Sequence, residues 1–288
     1  MRFVEPETVE EVAAILAADP EARCLAGGAT LVAMMNAELV EPSQLVSLRR
    51  VQALTGIEAL PEGGVSVGAM VRHAAVAAFP GFIGQQRLLS AAAARIGHPA
   101  IRNMGTIGGS ICHADPSADY PPAILAAEAT VVVQGPEGRR EIPAGAFFLD
   151  WFETALEPGE LVVAVKLQDG PEDTAVHYEK FTRADGDFAT ISVAASLSLE
   201  DGAVAKLTLA VGGAAETPVR DTEAESAALG RPLDASLIEE LGAALTTRCN
   251  PIDDLRGSAE YRLKLVPRLV GRALRAAERK FTEGTEAA

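Results

Sequence analysis

Apolar residues return at every third or fourth position through "VEEVAAILAAD", which predicts an amphipathic helix, and Thr8 with Glu11 three positions later supplies a capping box at its start. "ARCLAGG" reads as a short buried strand running into glycines. Helical spacing resumes from Thr30 in "TLVAMMNAEL", so the opening unit is strand, Gly-Gly turn, helix. Two short strand-like runs flank Pro-Glu-Gly-Gly in "ALTGIEALPEGGVSVGAM" and predict a hairpin. The helices "RHAAVAAF" and "LLSAAAARI" follow, the second closing near Gly97 with Pro99 beyond it. After the glycine-rich stretch "GTIGGSICHADPSADYPPA" at 105–123, "PPAILAAE" predicts a helix. "ATVVVQG" and "ELVVAVKL" predict strands around a Gly-Pro-Glu-Gly turn.

From about residue 176 the pattern changes. "HYEKFTR", "FATISVAASLSLE" and "VAKLTLAVGG" alternate as strands, and Asp201-Gly202 between the last two is a strong hairpin pair. Helical spacing returns in "DASLIEELGAALTTR" and from about Ser258 to Phe281. The order predicts an α+β chain with a boundary near 170–176, in "QDGPEDT", and an antiparallel sheet followed by helices beyond it.

With 48% hydrophobic residues the chain can fill a real core, yet its longest apolar runs fall far short of the roughly 20 residues that span a bilayer. No integral membrane segment is expected. The first twenty residues hold glutamates where a secretory signal needs an uninterrupted apolar stretch. Cys24, Cys112 and Cys249 are odd in number and scattered, which points to a reducing compartment, the cytoplasm, and provides too few thiolates for an iron–sulfur cluster on this chain. Lys and Arg total 25 against 40 Asp and Glu, a net charge of −15, so nucleic-acid binding is not expected. An anionic ligand must then be held by local devices. The charge is uneven: Arg256, Arg262, Lys264, Arg268, Arg272, Arg275, Arg279 and Lys280 crowd residues 256–280, and Arg268, Arg272, Arg275 and Arg279 share one helical face. That face is either plainly solvated or a contact for an acidic partner.

Candidate chemistry lies in two glycine loops, "AGGATL" at 26–31 and "GTIGGS" at 105–110. Successive backbone N–H groups in such turns can hold an anion, and a helix starting at Thr30 adds its dipole. Neither loop is a Rossmann or Walker fingerprint, and either one alone is more readily a plain turn, so the pair together carries the signal. Cys112-His113 with Asp115 and Asp119 could supply metal ligands but shows no regular ligand spacing. His73, His98 and His177 have no neighbours at triad spacing, so packing or surface roles are expected and no catalytic residue is assigned.

The order "AGGATL", then "IRNMGTIGGSICHADPSADYP", "EPGELVVAVKL", "YEKFTRADGDFATISVAA", "LAVGGAAETPVR" and "DLRGSAEYRLKLV" resembles the FAD-binding medium subunit of molybdenum hydroxylases, the carbon monoxide dehydrogenase and xanthine dehydrogenase family. The resemblance implies a two-lobed FAD-binding domain (PCMH-like) over 1–175, with lobes of about 1–55 and 56–175. A C-terminal domain of the CO dehydrogenase flavoprotein type follows over 176–288. It implies non-covalent FAD held by Ala26, Gly27, Gly28, Ala29, Thr30 and Leu31 in the first loop and by Thr106, Gly108, Gly109 and Ser110 in the second. Asp119, Val162, Lys180 and Phe188 are implied beside the cofactor. Phe188 stands where Tyr is expected in relatives of the carbon monoxide enzyme type, and Ser110 where Asn is common.

The same resemblance implies an oxidoreductase subunit that transfers electrons through its FAD. Its partners would be a large molybdopterin subunit and a small subunit with two [2Fe–2S] clusters, arranged as a dimer of heterotrimers, and the electrons would pass to an external acceptor. The alternatives are a stand-alone flavin oxidase of the related superfamily, whose members often tether FAD through a His that "AGGATL" lacks, and an FAD-free binding module.

Overall fold

The computed structural model describes residues 1–286. In the first lobe β1 (Arg2–Val4), α1 (Val9–Ala18), β2 (Arg23–Leu25), α2 (Leu31–Asn36) and β3 (Gln44–Ser47) alternate, and the strands form a parallel sheet in the order β1-β3-β2. Thr8 caps α1 as expected, its Oγ1 accepting from Glu11 N–H at 3.2 Å. The Glu11 carboxylate reaches back to Glu7 N–H at 2.8 Å, one residue upstream of the cap. Because β2 stops at Leu25, the first glycine loop leaves directly from a strand end.

The second lobe runs β4 (Ile57–Ala59), β5 (Val65–Gly68), α3 (His73–Ala78), α4 (Arg87–Ala93), α5 (Pro99–Arg102), α6 (Ile107–His113), α7 (Tyr120–Ala126), β6 (Thr130–Gly135), β7 (Gly138–Pro143), α8 (Ala144–Phe147), β8 (Phe148–Asp150), β9 (Glu153–Thr154) and β10 (Leu161–Leu167). Its sheet is antiparallel in the order β4-β5-β10-β6-β7, with β8 and β9 as a separate hairpin. The Gly-Pro-Glu-Gly turn joins β6 to β7 rather than to "ELVVAVKL". Strand β7, "GRREIP", buries only Ile142, so an edge strand of charged residues carried no apolar signal. Alternation along β6 ties the lobes together. Val131 and Val133 enter the helix-covered core of the second lobe, while Val132 joins Leu161 and Val163 in the core of the first.

The C-terminal part is the expected antiparallel sheet, β11 (Ala175–Phe181), β12 (Ile191–Glu200) and β13 (Ala203–Gly212), followed by α9 (Thr222–Ala228), α10 (Ala235–Arg248) and α11 (Ala259–Glu286). Asp201 and Gly202 both adopt positive φ, 51° and 79°, as a two-residue hairpin of this kind requires. Val193, Ala195 and Leu197 on one face of β12 pack with α10 and α11. Tyr178, Ala194 and Ala210 on the other face join the second-lobe core, where Thr208 Oγ1 donates to Ala126 O at 2.7 Å. No helix among the described residues is long and apolar enough to cross a membrane.

Candidate functional site

The two glycine segments, some eighty residues apart in sequence, abut. A Cβ on Gly27 would lie 2.0 Å from Met104 O and 2.9 Å from Gly105 Cα, so only glycine lets the backbones meet. Gly28 follows at φ +76°, a left-handed conformation that glycine accepts freely. Thr30 stands at the start of α2, and none of Ala26 through Leu31 is buried. The N–H groups of Gly27, Gly28, Ala29, Thr30 and Leu31 meet no protein acceptor among the described residues. This is a strip of donors awaiting an acceptor.

The second segment is a helix start, where the sequence pattern predicted a loop. Thr106 caps α6, its Oγ1 accepting from Gly109 N–H at 3.2 Å. Ile107 N–H donates to Val71 O at 3.0 Å, Gly108 N–H to Ala69 O at 2.9 Å and Ser110 N–H to Thr106 O at 3.0 Å. The amides of Ile107, Gly108, Gly109 and Ser110 are therefore already bonded within the protein. What this segment offers instead is surface: Gly109 is exposed, and a Cβ there would meet only Thr106 Oγ1 at 3.1 Å and Ala26 Cβ at 3.7 Å. Gly108, by contrast, is sealed against Ala69, whose Cβ would lie 2.6 Å away from an added Cβ.

Behind α6 lies a buried polar chain. His73 is 4% exposed, its Nδ1 lies 3.1 Å from Tyr120 Oη, and its ring closes over Gly105, whose Cβ would come within 2.5 Å of Nε2. Burial, with the Arg102 charge nearby, lowers its pKa to about 4, so the ring is neutral at neutral pH. Asp119, the residue before Tyr120, pairs with Lys180 Nζ at 2.8 Å and accepts from Tyr178 Oη at 2.8 Å. Lys180 also donates to Arg95 O at 3.1 Å. Desolvation pushes the Asp119 carboxyl above its ordinary range against the pull of Lys180 and Tyr178. The pair joins the N-terminal end of α7 to β11, and hence the two parts of the chain.

Phe188, 41% exposed, sits on the β11–β12 loop with the Arg256 guanidinium 5.4 Å from its ring centroid. This loop leans on the segment preceding the second glycine loop, since a Cβ on Gly186 would strike the His98 ring at 2.7 Å. Ala189 N–H donates to Ser117 O at 3.2 Å, which fixes the loop beside Asp119. The Val162 side chain is 3% exposed in the second-lobe core, and its backbone faces the Cys112 thiol of α6. The Cys112, His113, Asp115 and Asp119 side chains diverge. Cys112 turns to Val162, His113 to Phe152, Asp115 Oδ1 to Ser117 N–H at 2.8 Å, and Asp119 to Lys180.

Residues 1–167 match the family model described as the FAD binding domain in molybdopterin dehydrogenase, and residues 176–277 match the CO dehydrogenase flavoprotein C-terminal domain. The chain belongs to this flavoprotein family. It is 35% identical to the carbon monoxide dehydrogenase medium chain of Hydrogenophaga pseudoflava, over 94% of this chain and 95% of that one. It is 33% identical to the nicotine 6-hydroxylase medium subunit of Paenarthrobacter nicotinovorans, over 95% and 96%. Among solved structures, carbon monoxide dehydrogenase from Hydrogenophaga pseudoflava superposes with a TM-score of 0.93 at 35% identity, covering 97% of this chain and 98% of that one. Quinoline 2-oxidoreductase from Pseudomonas putida 86 gives 0.91 at 32% identity, covering 98% of each.

The flavoprotein's donor strip fits an FAD, because a diphosphate brings the acceptors that Gly27 to Leu31 lack. Three supporting residues went unassigned in the sequence. Tyr178 lies two positions from Lys180 and so on the same strand face, a spacing that would have found it. His73 carried no such signal. Arg262, 2% exposed, donates to Thr190 O at 2.6 Å, Gly213 O at 2.7 Å and Asp254 Oδ1 at 2.6 Å, clamping the Arg256 loop to the sheet end beside Phe188. The basic face of α11 is divided: Arg272 binds Glu179 at 2.9 Å, while Arg268 and Arg275 edge a groove of about 520 Å³ between α10 and α11, floored by Ile238, Pro267 and Gly271.

Proposed function

We propose that this flavoprotein is the FAD-carrying electron-transfer subunit of a molybdenum hydroxylase, working in the cytoplasm. A small subunit with two [2Fe–2S] clusters delivers electrons to it, a large subunit holds the molybdopterin where substrate is oxidised, and two such heterotrimers pair as a dimer. The relatives' names as medium chains and medium subunits support the partnership. The observation that carries the reading is the run of donors from Gly27 to Leu31 with no protein acceptor among the described residues, set against the open glycine surface at Gly109.

When bound, FAD supplies two-electron and one-electron redox chemistry that no side chain here provides. The chain's own residues bind, orient and shield. Backbone N–H groups of residues 27–31 hold the diphosphate without adding a positive side chain, and Gly109 with the Ser110 hydroxyl forms the opposite wall. Ala26 lies beside Gly109, and Thr106 caps the helix that carries it. Asp119 and Lys180 neutralise one another while pinning α7 to β11. Phe188 offers a flat apolar face with no hydroxyl, stiffened by Arg256. Val162 acts through its backbone, as a support for α6.

The test is flavin release from the purified full chain. Acid precipitation is expected to leave about one FAD per chain in the supernatant, identified by chromatography. A colourless chain, or colour that stays with the pellet, refutes non-covalent FAD. Adding substrate to the assembled complex is expected to bleach the absorbance of this chain's flavin, and absorbance that stays unchanged refutes the electron-transfer role.

A further inference from the structure

The β8–β9 hairpin turns through Trp151 and Phe152, and it leaves Leu149 53%, Trp151 38% and Phe152 56% exposed. Phe152 also sits at φ +57°, a left-handed conformation that a bulky side chain rarely adopts and that glycine would take without strain. The chain thus keeps three apolar side chains in water and a strained backbone at one point, a combination that marks an interaction site. The tip is tied to the cofactor region. The Phe152 ring packs on His113, with centroids 5.2 Å apart, and His113 ends the helix whose first turn carries Gly108, Gly109 and Ser110. That helix has seven residues, so roughly 10 Å separates its two ends. Asp150 and Glu153, both exposed, border the tip with negative charge.

We propose that the hairpin Phe148–Thr154 is the docking knob for the electron-donating iron–sulfur subunit, which receives Trp151 and Phe152 in an apolar recess edged by Arg or Lys. The inference rests on the electron-transfer reading: a donor must be held close to the flavin, and α6 runs from the glycine turn to this tip. The acidic border selects a basic rim, and the aromatic pair supplies the desolvated anchor that interfaces concentrate in Trp and similar residues.

Trp151 is the only tryptophan in the chain, so 5-fluorotryptophan labelling gives a single ¹⁹F resonance from this tip. Adding the purified iron–sulfur subunit to the labelled, flavin-loaded full chain is expected to shift that resonance. The variant Trp151→Ser/Phe152→Gly is expected to keep its flavin and bind the iron–sulfur subunit at least about tenfold more weakly, as loss of a hot spot does. Phe152→Gly alone is expected to raise the melting temperature of the free chain. The proposal is overturned by a wild-type chain that does not bind that subunit, a resonance unmoved by binding, a double variant that binds less than about tenfold more weakly than wild type, or a double variant that loses flavin. A shift produced by the large subunit instead removes the iron–sulfur subunit as occupant. A wild-type chain that carries no flavin refutes the electron-transfer reading, a result read on flavin content and separate from the resonance.

Discussion

Gly108 and Gly109 are adjacent in sequence and opposite in circumstance, which makes them a matched pair for locating the cofactor. A methyl at Gly108 would lie 2.6 Å from Ala69 Cβ and 2.8 Å from Ala69 O, the acceptor of its own N–H. The overlap is with backbone and cannot relax through a side chain, so Gly108→Ala is expected to cost about 1–3 kcal/mol, the usual penalty for overpacking. At Gly109 the added methyl meets Thr106 Oγ1 at 3.1 Å and Ala26 Cβ at 3.7 Å, in a helix where alanine is favoured over glycine by about 1 kcal/mol. The threonine hydroxyl must shift by a few tenths of an ångström, which offsets part of that gain. Gly109→Ala should therefore leave the flavin-free chain within about 1 kcal/mol of wild type, a melting shift of roughly 2–4 °C at most in a chain of this size. Its effect should appear in FAD binding, because the methyl projects into the open side of the segment. Thermal unfolding of the flavin-free proteins, with fluorescence titration of FAD into each, separates the two effects. Gly109→Ala is expected to lose at least about tenfold in FAD affinity, worth roughly 1.4 kcal/mol. If it binds FAD like wild type with its fold intact, Gly109 does not line the cofactor.

Two further outcomes follow from the buried polar chain. His73 is neutral in the fold, with a pKa near 4 against an ordinary 6.5, so the unfolded chain takes up its proton first as pH falls. Stability is expected to decline from about pH 6.5 to pH 4 by up to about 3 kcal/mol from this group alone, and urea unfolding of His73→Gln should show a flatter slope over that window even where the variant is less stable. Lys180→Met leaves Asp119 buried without its counter-charge and is expected to cost about 3–5 kcal/mol near neutral pH. The loss should be smaller at acidic pH, where the carboxyl folds protonated, and a loss independent of pH would show that the pair carries no charge.

Period and punctuation carried the local structure. The repeats at three and four residues in α1, α10 and α11, the alternation through β11, β12 and β13, and the Asp201-Gly202 turn are all properties of near neighbours in the chain, and the ordered motifs identified the family. Elements stabilised by distant contacts left weaker traces. Strand β7 is polar because it is an edge, residue 108 at the start of α6 is glycine because that turn passes close to Ala69, and residue 27 is glycine because the backbone around Met104 passes close to it. A glycine in the sequence says only that a side chain is absent. The fold decides what that absence is for: close approach of backbones at Gly27 and Gly108, an open surface at Gly109. The same division holds for charge. Asp119 and Lys180 stand 61 residues apart and meet because α7 packs against β12 and β13 of the sheet whose strand β11 carries Lys180, and once both are out of water the desolvation cost couples them. The chemistry that can bind a diphosphate was legible as two glycine loops. Only the tertiary structure divided the labour between them, leaving the amides of one without protein acceptors and spending those of the other on Ala69, Val71 and Thr106.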